Sequence, residues 1–241
     1  MSTTGENHPL SPNAFYTRPL GTWAKAIQAL YPEAKQYFLE KVEHHKALSI
    51  MEHEFLVVHA SHPSGSKVVL GVDRNAQDSA QAFGTGTFVF PKSLPLSSTV
   101  NGSPHLAYDR VQVSHDGTAA PILTQYGSHV LLYTITFPSP LTASTSSSNS
   151  DASPPPSLLH LSVLLLTIRK RFPSYNLLKY QCYFFAHVTC LTLKDLFDGV
   201  LPELEEGRRA ATWHGCARIS VFSGMHGAAE NVSNGCVLGA I

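Results

Sequence analysis

The sequence predicts an α+β fold, an antiparallel sheet of about five strands packed by two helices from the second half of the chain. Three observations carry that expectation. The stretch from His53 to Phe137 is rich in short apolar runs separated by turn residues. The first two runs face each other across Pro63-Ser64-Gly65-Ser66, which reads as a hairpin turn. From Leu158 onward the apolar residues recur at helical spacing, in two separate segments.

Taken in order, residues 1–19 are rich in Pro, Ser and Asn and are expected to be disordered. Leu20 to Lys46 is expected to be mostly helical. Trp23, Ile27 and Leu30, then Ala34, Tyr37 and Phe38, recur at helical spacing, and Pro32 breaks the run into two helices. Strands are expected at His53–His59, Lys67–Asp73, Thr87–Phe90, Tyr108–Ser114 and Val130–Phe137. Residues 142–156 are a low-complexity Ser- and Pro-rich stretch, expected as a flexible insertion. Ser157 can cap a helix running from Leu158 to Arg171, where Arg169, Lys170 and Arg171 suit the C-terminal dipole and Pro173 stops it. Tyr180 to Phe197 is apolar around most of its circumference, so this second helix is expected to be buried on nearly all sides. Arg218–Phe222 is expected as a last strand, which gives one domain over residues 20–222 and an irregular Gly-rich tail over 223–241.

Composition excludes several classes of function. Of the 241 residues, Lys+Arg and Asp+Glu both number 17, so the net charge is zero and no basic field exists to hold nucleic acid. Hydrophobic residues make up 43%, enough for a packed core. The longest apolar stretch, Leu161 to Ile168, is far short of the roughly 20 residues a membrane span needs. The opening residues carry no apolar leader, so a cytoplasmic or nuclear location is expected. Cys182, Cys190, Cys216 and Cys236 form no CxxC pair and have no zinc-ligand spacing, so free thiols and no metal are expected. His44-His45 and His59-x-x-His62 read as exposed polar residues. Gly84-Thr85-Gly86-Thr87 lacks the lysine of a phosphate loop. No cofactor is expected.

One constellation can carry chemistry. Cys182 falls in the first turn of the apolar helix, where unpaired N–H groups and the helix dipole favour a thiolate. The same N–H groups, with the Gln181 amide, can form an oxyanion hole. Among 13 histidines, His53 stands out as a base, because it opens a strand and shares a face with Phe55, Val57 and His59. A turn centred on Ser64-Gly65 would set Leu56 opposite Asp73 and His53 near Ala76. Asp73 or Asn75 would then orient the imidazole.

The run Gln181-Cys182-Tyr183-Phe184-Phe185-Ala186, with an early strand-opening histidine, resembles the permuted papain-like superfamily. That group includes lecithin:retinol acyltransferase-like proteins, PPPDE deubiquitinases and NlpC-type peptidases. Their cysteine motif is Asn-Cys-x-x-Phe, so Gln181 departs from it, and Glu54 stands where the acyltransferases continue with a Tyr-Gly-type pattern. The resemblance implies a permuted papain-like fold with Cys182 as nucleophile and His53 as base. Glu52 to Arg74, Leu158 to Ala186 and Thr212 to Gly224 also resemble a set of proteins of mushroom-forming (basidiomycete) fungi, a resemblance that brings no activity with it. Two readings follow. One is a thiol-dependent hydrolase or acyl transferase acting on a protein, peptide or lipid substrate. The other is a non-catalytic binding module of the same fold.

Overall fold

A computed structural model of the chain describes residues 10, 15–48, 52–76, 105–114, 116–138, 155–175 and 181–201. The strands are β1 (Phe15–Pro19), β2 (Phe38–Ala47), β3 (Glu54–Ser61), β4 (Lys67–Ala76), β5 (His105–Ser114), β6 (His129–Thr136) and β7 (Ser174–Tyr175). The helices are α1 (Leu20–Ala29), α2 (Tyr31–Ala34), α3 (Ala120–Tyr126), α4 (Leu158–Arg171) and α5 (Cys182–Leu196). The seven strands form one sheet in the order β1-β5-β4-β3-β2-β6, with β7 paired to β5. Every pair is antiparallel.

Both faces of this sheet are covered, which explains why β3 is buried almost without alternation. Leu56, Val58, Leu70, Val72, Val111 and Val113 belong to the main core, which takes in Trp23 and Ile27 of α1, Leu161 and Leu165 of α4, and Phe185 and Cys190 of α5. Phe55, Val57 and Val69 form a smaller core with Ile122 and Tyr126 of α3. Phe55 and Tyr126 stack with ring centroids 3.6 Å apart. The α4 helix starts as its sequence dictates. Ser157 accepts from the His160 N–H, and the His160 ring bonds back to the Ser157 N–H, a reciprocal cap with His in the place of Glu.

Two Asp-Arg dipeptides set the register at the centre of the sheet. In β4 they are Asp73-Arg74 and in β5 Asp109-Arg110, and antiparallel pairing sets Asp73 against Arg110 and Arg74 against Asp109. Successive residues point to opposite faces, so each face receives one buried ion pair. Both are bidentate. Arg110 donates to Asp73 at 2.7 and 2.6 Å, and Arg74 donates to Asp109 at 2.7 and 2.9 Å.

The structure departs from expectation in five places. Phe15–Pro19 is not disordered but pairs with β5 along its whole length. The helix expected up to Lys46 ends at Ala34, and Phe38–Ala47 is a strand. Pairing on both sides, with β3 and β6, outweighs the helical propensity of its Leu, Glu and Lys residues. The sheet has seven strands rather than about five. The helix α3 and its separate core have no counterpart in the expected fold, because seven residues without a side-chain cap give little periodic signal. The hairpin register is shifted by one residue, with Phe55 rather than Leu56 opposite Asp73. Thr87–Phe90, Arg218–Phe222, the 223–241 tail and nearly all of the 142–156 insertion lie outside the described residues. Among the described residues no helix is long and apolar enough to cross a membrane.

Close approach of α3 depends on a missing side chain. A Cβ on Gly71 would lie 2.6 Å from Ile122 Cγ2 and 3.2 Å from Gln112 Oε1. Gly71→Ala is therefore expected to push α3 off the sheet and to destabilise the fold by about 1–3 kcal/mol, as overpacking does. Chemical denaturation with unchanged m-value measures it. A variant as stable as the parent would show that α3 does not need this contact.

Candidate functional site

Cys182 is the first residue of α5. The chain enters through Gln181, which is extended at φ −95° and ψ −172° and whose carbonyl accepts from the Phe185 N–H at 3.1 Å. The Gln181 side chain makes no capping bond, so its amide is not committed to the helix terminus. The Cys182 N–H, in the first turn, has no intrahelical acceptor.

His53 lies one residue ahead of β3. Glu52 before it has a left-handed backbone at φ 44°, an uncommon conformation that swings the chain into the strand. Lys46 holds the Glu52 carboxylate at 2.8 Å. From this position His53 lies close to the Cys182 sulfur on one side, near enough for each to act on the other's charge. On the other, its Nε2 lies 3.2 Å from Asp73 Oδ2. The one-residue register shift makes this contact possible. With Phe55 opposite Asp73, the carboxylate falls on the same sheet face as Phe55, and therefore as His53. The register expected from the sequence would have turned Asp73 to the other face.

Asp73 is saturated with donors. Besides Arg110 and His53, the Tyr126 hydroxyl donates to Oδ2 at 3.0 Å. Gln112 in turn donates to the Tyr126 oxygen at 3.4 Å. The Tyr126 ring lies nearly parallel to His53, with centroids 6.0 Å apart. Behind the thiol, the Tyr175 hydroxyl of β7 lies near the Cys182 sulfur. Tyr175 is partly exposed as a residue, but its hydroxyl end is buried.

Electrostatics follow from this packing. Burial pushes the His53 pKa down, but the Cys182 sulfur and the Asp73 carboxylate beside it raise it to about 9. Burial would raise the Asp73 pKa, yet Arg110 and His53 together hold it well below its ordinary value. Asp109, in the equivalent pair on the opposite face, is raised, because burial there outweighs its Arg74 partner. Cys190 lies in the main core two turns along α5, where burial pushes its thiol up to about 12. It is a structural cysteine.

The structure thus brings together Cys182, His53 and Asp73, with Gln181 beside them. Arg110, Tyr126 and Tyr175 are site residues that the sequence reading missed. The repeated Asp-Arg dipeptide was the available signal for Arg110. Asn75, the alternative orienter, does not take that place. Cys182 is 5% exposed, His53 4% and Asp73 1%, so the constellation is nearly closed to solvent. A shallow depression of about 360 Å³ lies beside β7, lined by Arg171, Phe172, Pro173 and Ser174, and it does not reach Cys182 or His53.

Of the other histidines, His44, His45 and His59 are not the exposed polar residues expected. His44 and His45 are buried on β2. His44 Nε2 lies 2.7 Å from Glu54 Oε2, a close approach whose direction makes no hydrogen bond. His45 and His59 both reach Glu43 Oε2, at 3.4 and 3.2 Å. His62 is turned away and bonds Ser64 in the hairpin turn. Among the described residues no group of three or more His, Cys, Asp or Glu side chains can hold a metal. Gly84–Thr87, Cys216 and Cys236 lie outside the described residues.

A pH dependence of stability follows. The raised His53 pKa stabilises the fold fully below pH 6.5, and this contribution is lost as pH climbs from 6.5 through about 9. The lowered Asp73 pKa works in the opposite sense. Its contribution is present above the ordinary value of 3.8 and is lost as pH falls below it. Stability is therefore expected to be highest between about pH 4 and 6.5 where these two groups govern it. His53→Gln should flatten the alkaline decline in a series of thermal melts. An alkaline limb that is identical in the variant would separate His53 from it. In comparisons with known proteins, no family model, no curated protein and no solved structure matches this chain.

Proposed function

We propose that the protein is a thiol-dependent hydrolase or acyl transferase, with Cys182 as nucleophile, His53 as its base and Asp73 as the group that orients the imidazole. One observation carries this reading. A single buried imidazole lies close to the thiol of a helix-initiating cysteine on one side and bonds a buried carboxylate on the other. The chain order, histidine strand before cysteine helix, and the antiparallel sheet agree with a permuted papain-like arrangement, though Gln181 replaces the family's Asn.

The chemistry follows from the atoms present. Asp73 engages Nε2 of His53, which leaves Nδ1 for the Cys182 proton. Proton transfer gives a thiolate and an imidazolium. The sulfur attacks an ester or amide carbonyl, and the C=O bond becomes an oxyanion. The Cys182 N–H and the Gln181 amide are its donors in this reading, and Tyr175 is a third once its hydroxyl leaves the sulfur. The imidazolium then protonates the leaving oxygen or nitrogen as its bond to carbon breaks. A thioester on Cys182 remains. Water or an acceptor alcohol or amine, deprotonated by His53, attacks that thioester and restores the thiol.

A second reading has its own support. Cys182 and His53 are both nearly buried, as expected of a structural cluster in a non-catalytic binding module. Reactivity separates the two. Alkylation of native Cys182 by iodoacetamide is expected to stay fast well below the free-thiol pKa of about 8.5, and to fall by roughly tenfold or more in His53→Ala. Labelling that occurs only on unfolding would establish the binding-module reading. Tyr175→Phe should slow acylation by an activated ester by about 10²-fold while leaving alkylation within about threefold, because alkylation forms no oxyanion. Equal effects on both reactions would remove Tyr175 from the oxyanion site.

A further inference from the structure

We infer that Arg110 is the counter-charge that allows Cys182 and His53 to exist as a buried thiolate–imidazolium pair, a positioning residue that acts through Asp73. The inference rests on the Cys182–His53 reading and extends it to a fourth residue.

Buried charge is tolerated only when it is balanced. In the reactive state four charges lie in sequence: Arg110 positive, Asp73 negative, His53 positive and Cys182 negative. The links are the Arg110–Asp73 fork at 2.7 and 2.6 Å, the Asp73–His53 contact at 3.2 Å and the close approach of His53 to Cys182. The signs alternate and the sum is zero. The neighbouring elements bring further charged and titratable groups to these four. From α3, Tyr126 donates to Asp73 as a neutral phenol. From β7 and α5 come the neutral phenols Tyr175 and Tyr183. From β4 and β5, Arg74 and Asp109 cancel each other on the opposite face. From β2 and the approach to β3, Lys46 pairs with Glu52 and His44 lies against Glu54.

Removing either inner charge breaks the balance in a definite direction. Without Arg110 the buried group carries a net negative charge, which a proton on Cys182 or Asp73 relieves. Without the Asp73 charge it carries a net positive charge, which loss of the His53 proton relieves. Both changes abolish the thiolate–imidazolium pair. Removing Arg110 and Asp73 charges together restores the zero sum. The pair should then return, although neither residue touches a substrate. A purely structural role for Arg110 predicts the contrary, that two defects in one core are at least as harmful as one.

The experiment is a double-variant cycle on the full chain. Arg110→Gln, Asp73→Asn and the combination are compared with the parent. The combination replaces an ion pair by two amides that can bond each other. Two readouts are taken from pH 5 to 9: the iodoacetamide rate at Cys182, and the ring ¹⁵N shifts of His53, which report its protonation without requiring access. At pH 6 each single variant is expected to lose at least about tenfold in alkylation rate and to show neutral His53 or a protonated thiol. The double variant should alkylate faster than either single variant, with His53 protonated. A double variant slower than both singles, or folded singles with unchanged profiles, overturns the inference. If Arg110→Gln does not fold, Arg110→Lys keeps the charge without the fork and should retain the parental pH profile, and a tenfold loss there overturns it too. A parent protein with unreactive Cys182 and neutral His53 at pH 6 fails differently. That result rejects the thiolate reading itself, and this inference with it.

Discussion

A carboxylate buried at the centre of a sheet must be satisfied completely, and most of this structure can be derived from the need to satisfy Asp73. An ionised carboxylate taken out of water without partners costs many kcal/mol, far more than a domain's whole stability. Asp73 therefore collects donors from three directions: Arg110 from the next strand, Tyr126 from a helix across the face, and His53 from the chain before β3. Each donor imposes a demand of its own. Arg110 needs β5 in one register. Tyr126 needs α3 against the sheet, and α3 needs Gly71 to have no side chain. His53 needs the left-handed turn at Glu52.

Register is where the sequence reading came closest and still erred. The turn residues predict the hairpin, and the hairpin brings Asp73 or Asn75 toward His53. The placement of the turn was one residue off, and in a pleated sheet one residue reverses every face. Turn composition alone does not hold the register tightly enough. The pairing of β4 with β5 is held more tightly, because Asp109-Arg110 opposes Asp73-Arg74 with each charge against its opposite. A slip by one would set Arg against Arg or Asp against Asp in a buried place. The two dipeptides are 36 positions apart, with Asp73 and Asp109 as their first residues, and most of that interval carries no strong pattern. Such a match becomes meaningful only once the strands are known to be neighbours.

The site divides in the same way into local and distant parts. Cys182, Gln181 and the helix they open were legible because apolar periodicity and a helix start are local signals. His53 was legible because it opens an apolar run. Tyr126 and Tyr175 were not. Tyr126 ends a seven-residue helix, and Tyr175 sits in a strand of two residues, elements too short to announce themselves. The opposite error at Phe38–Ala47 has the same origin. That strand is rich in residues that favour helix, and only its two neighbours make it a strand.

The sheet contains its own control for how surroundings act on a buried ion pair. Asp73–Arg110 and Asp109–Arg74 are the same bidentate pair, in the same two strands, on opposite faces. Around Asp109 the surroundings are the main core. The Arg74 guanidinium lies 4.7 Å over the Phe185 ring, its NH1 nitrogen has no hydrogen-bond partner, and burial raises the carboxyl pKa. Around Asp73 two further donors lie against the carboxylate, and its pKa falls instead. An ion pair by itself is then neither catalytic nor inert. On one face the carboxylate meets an imidazole with a thiol beyond it, while on the other the arginine of the pair packs on an aromatic ring. In the proposed mechanism the first arrangement links the carboxylate through the imidazole to the attacking sulfur, and the second has no such outlet.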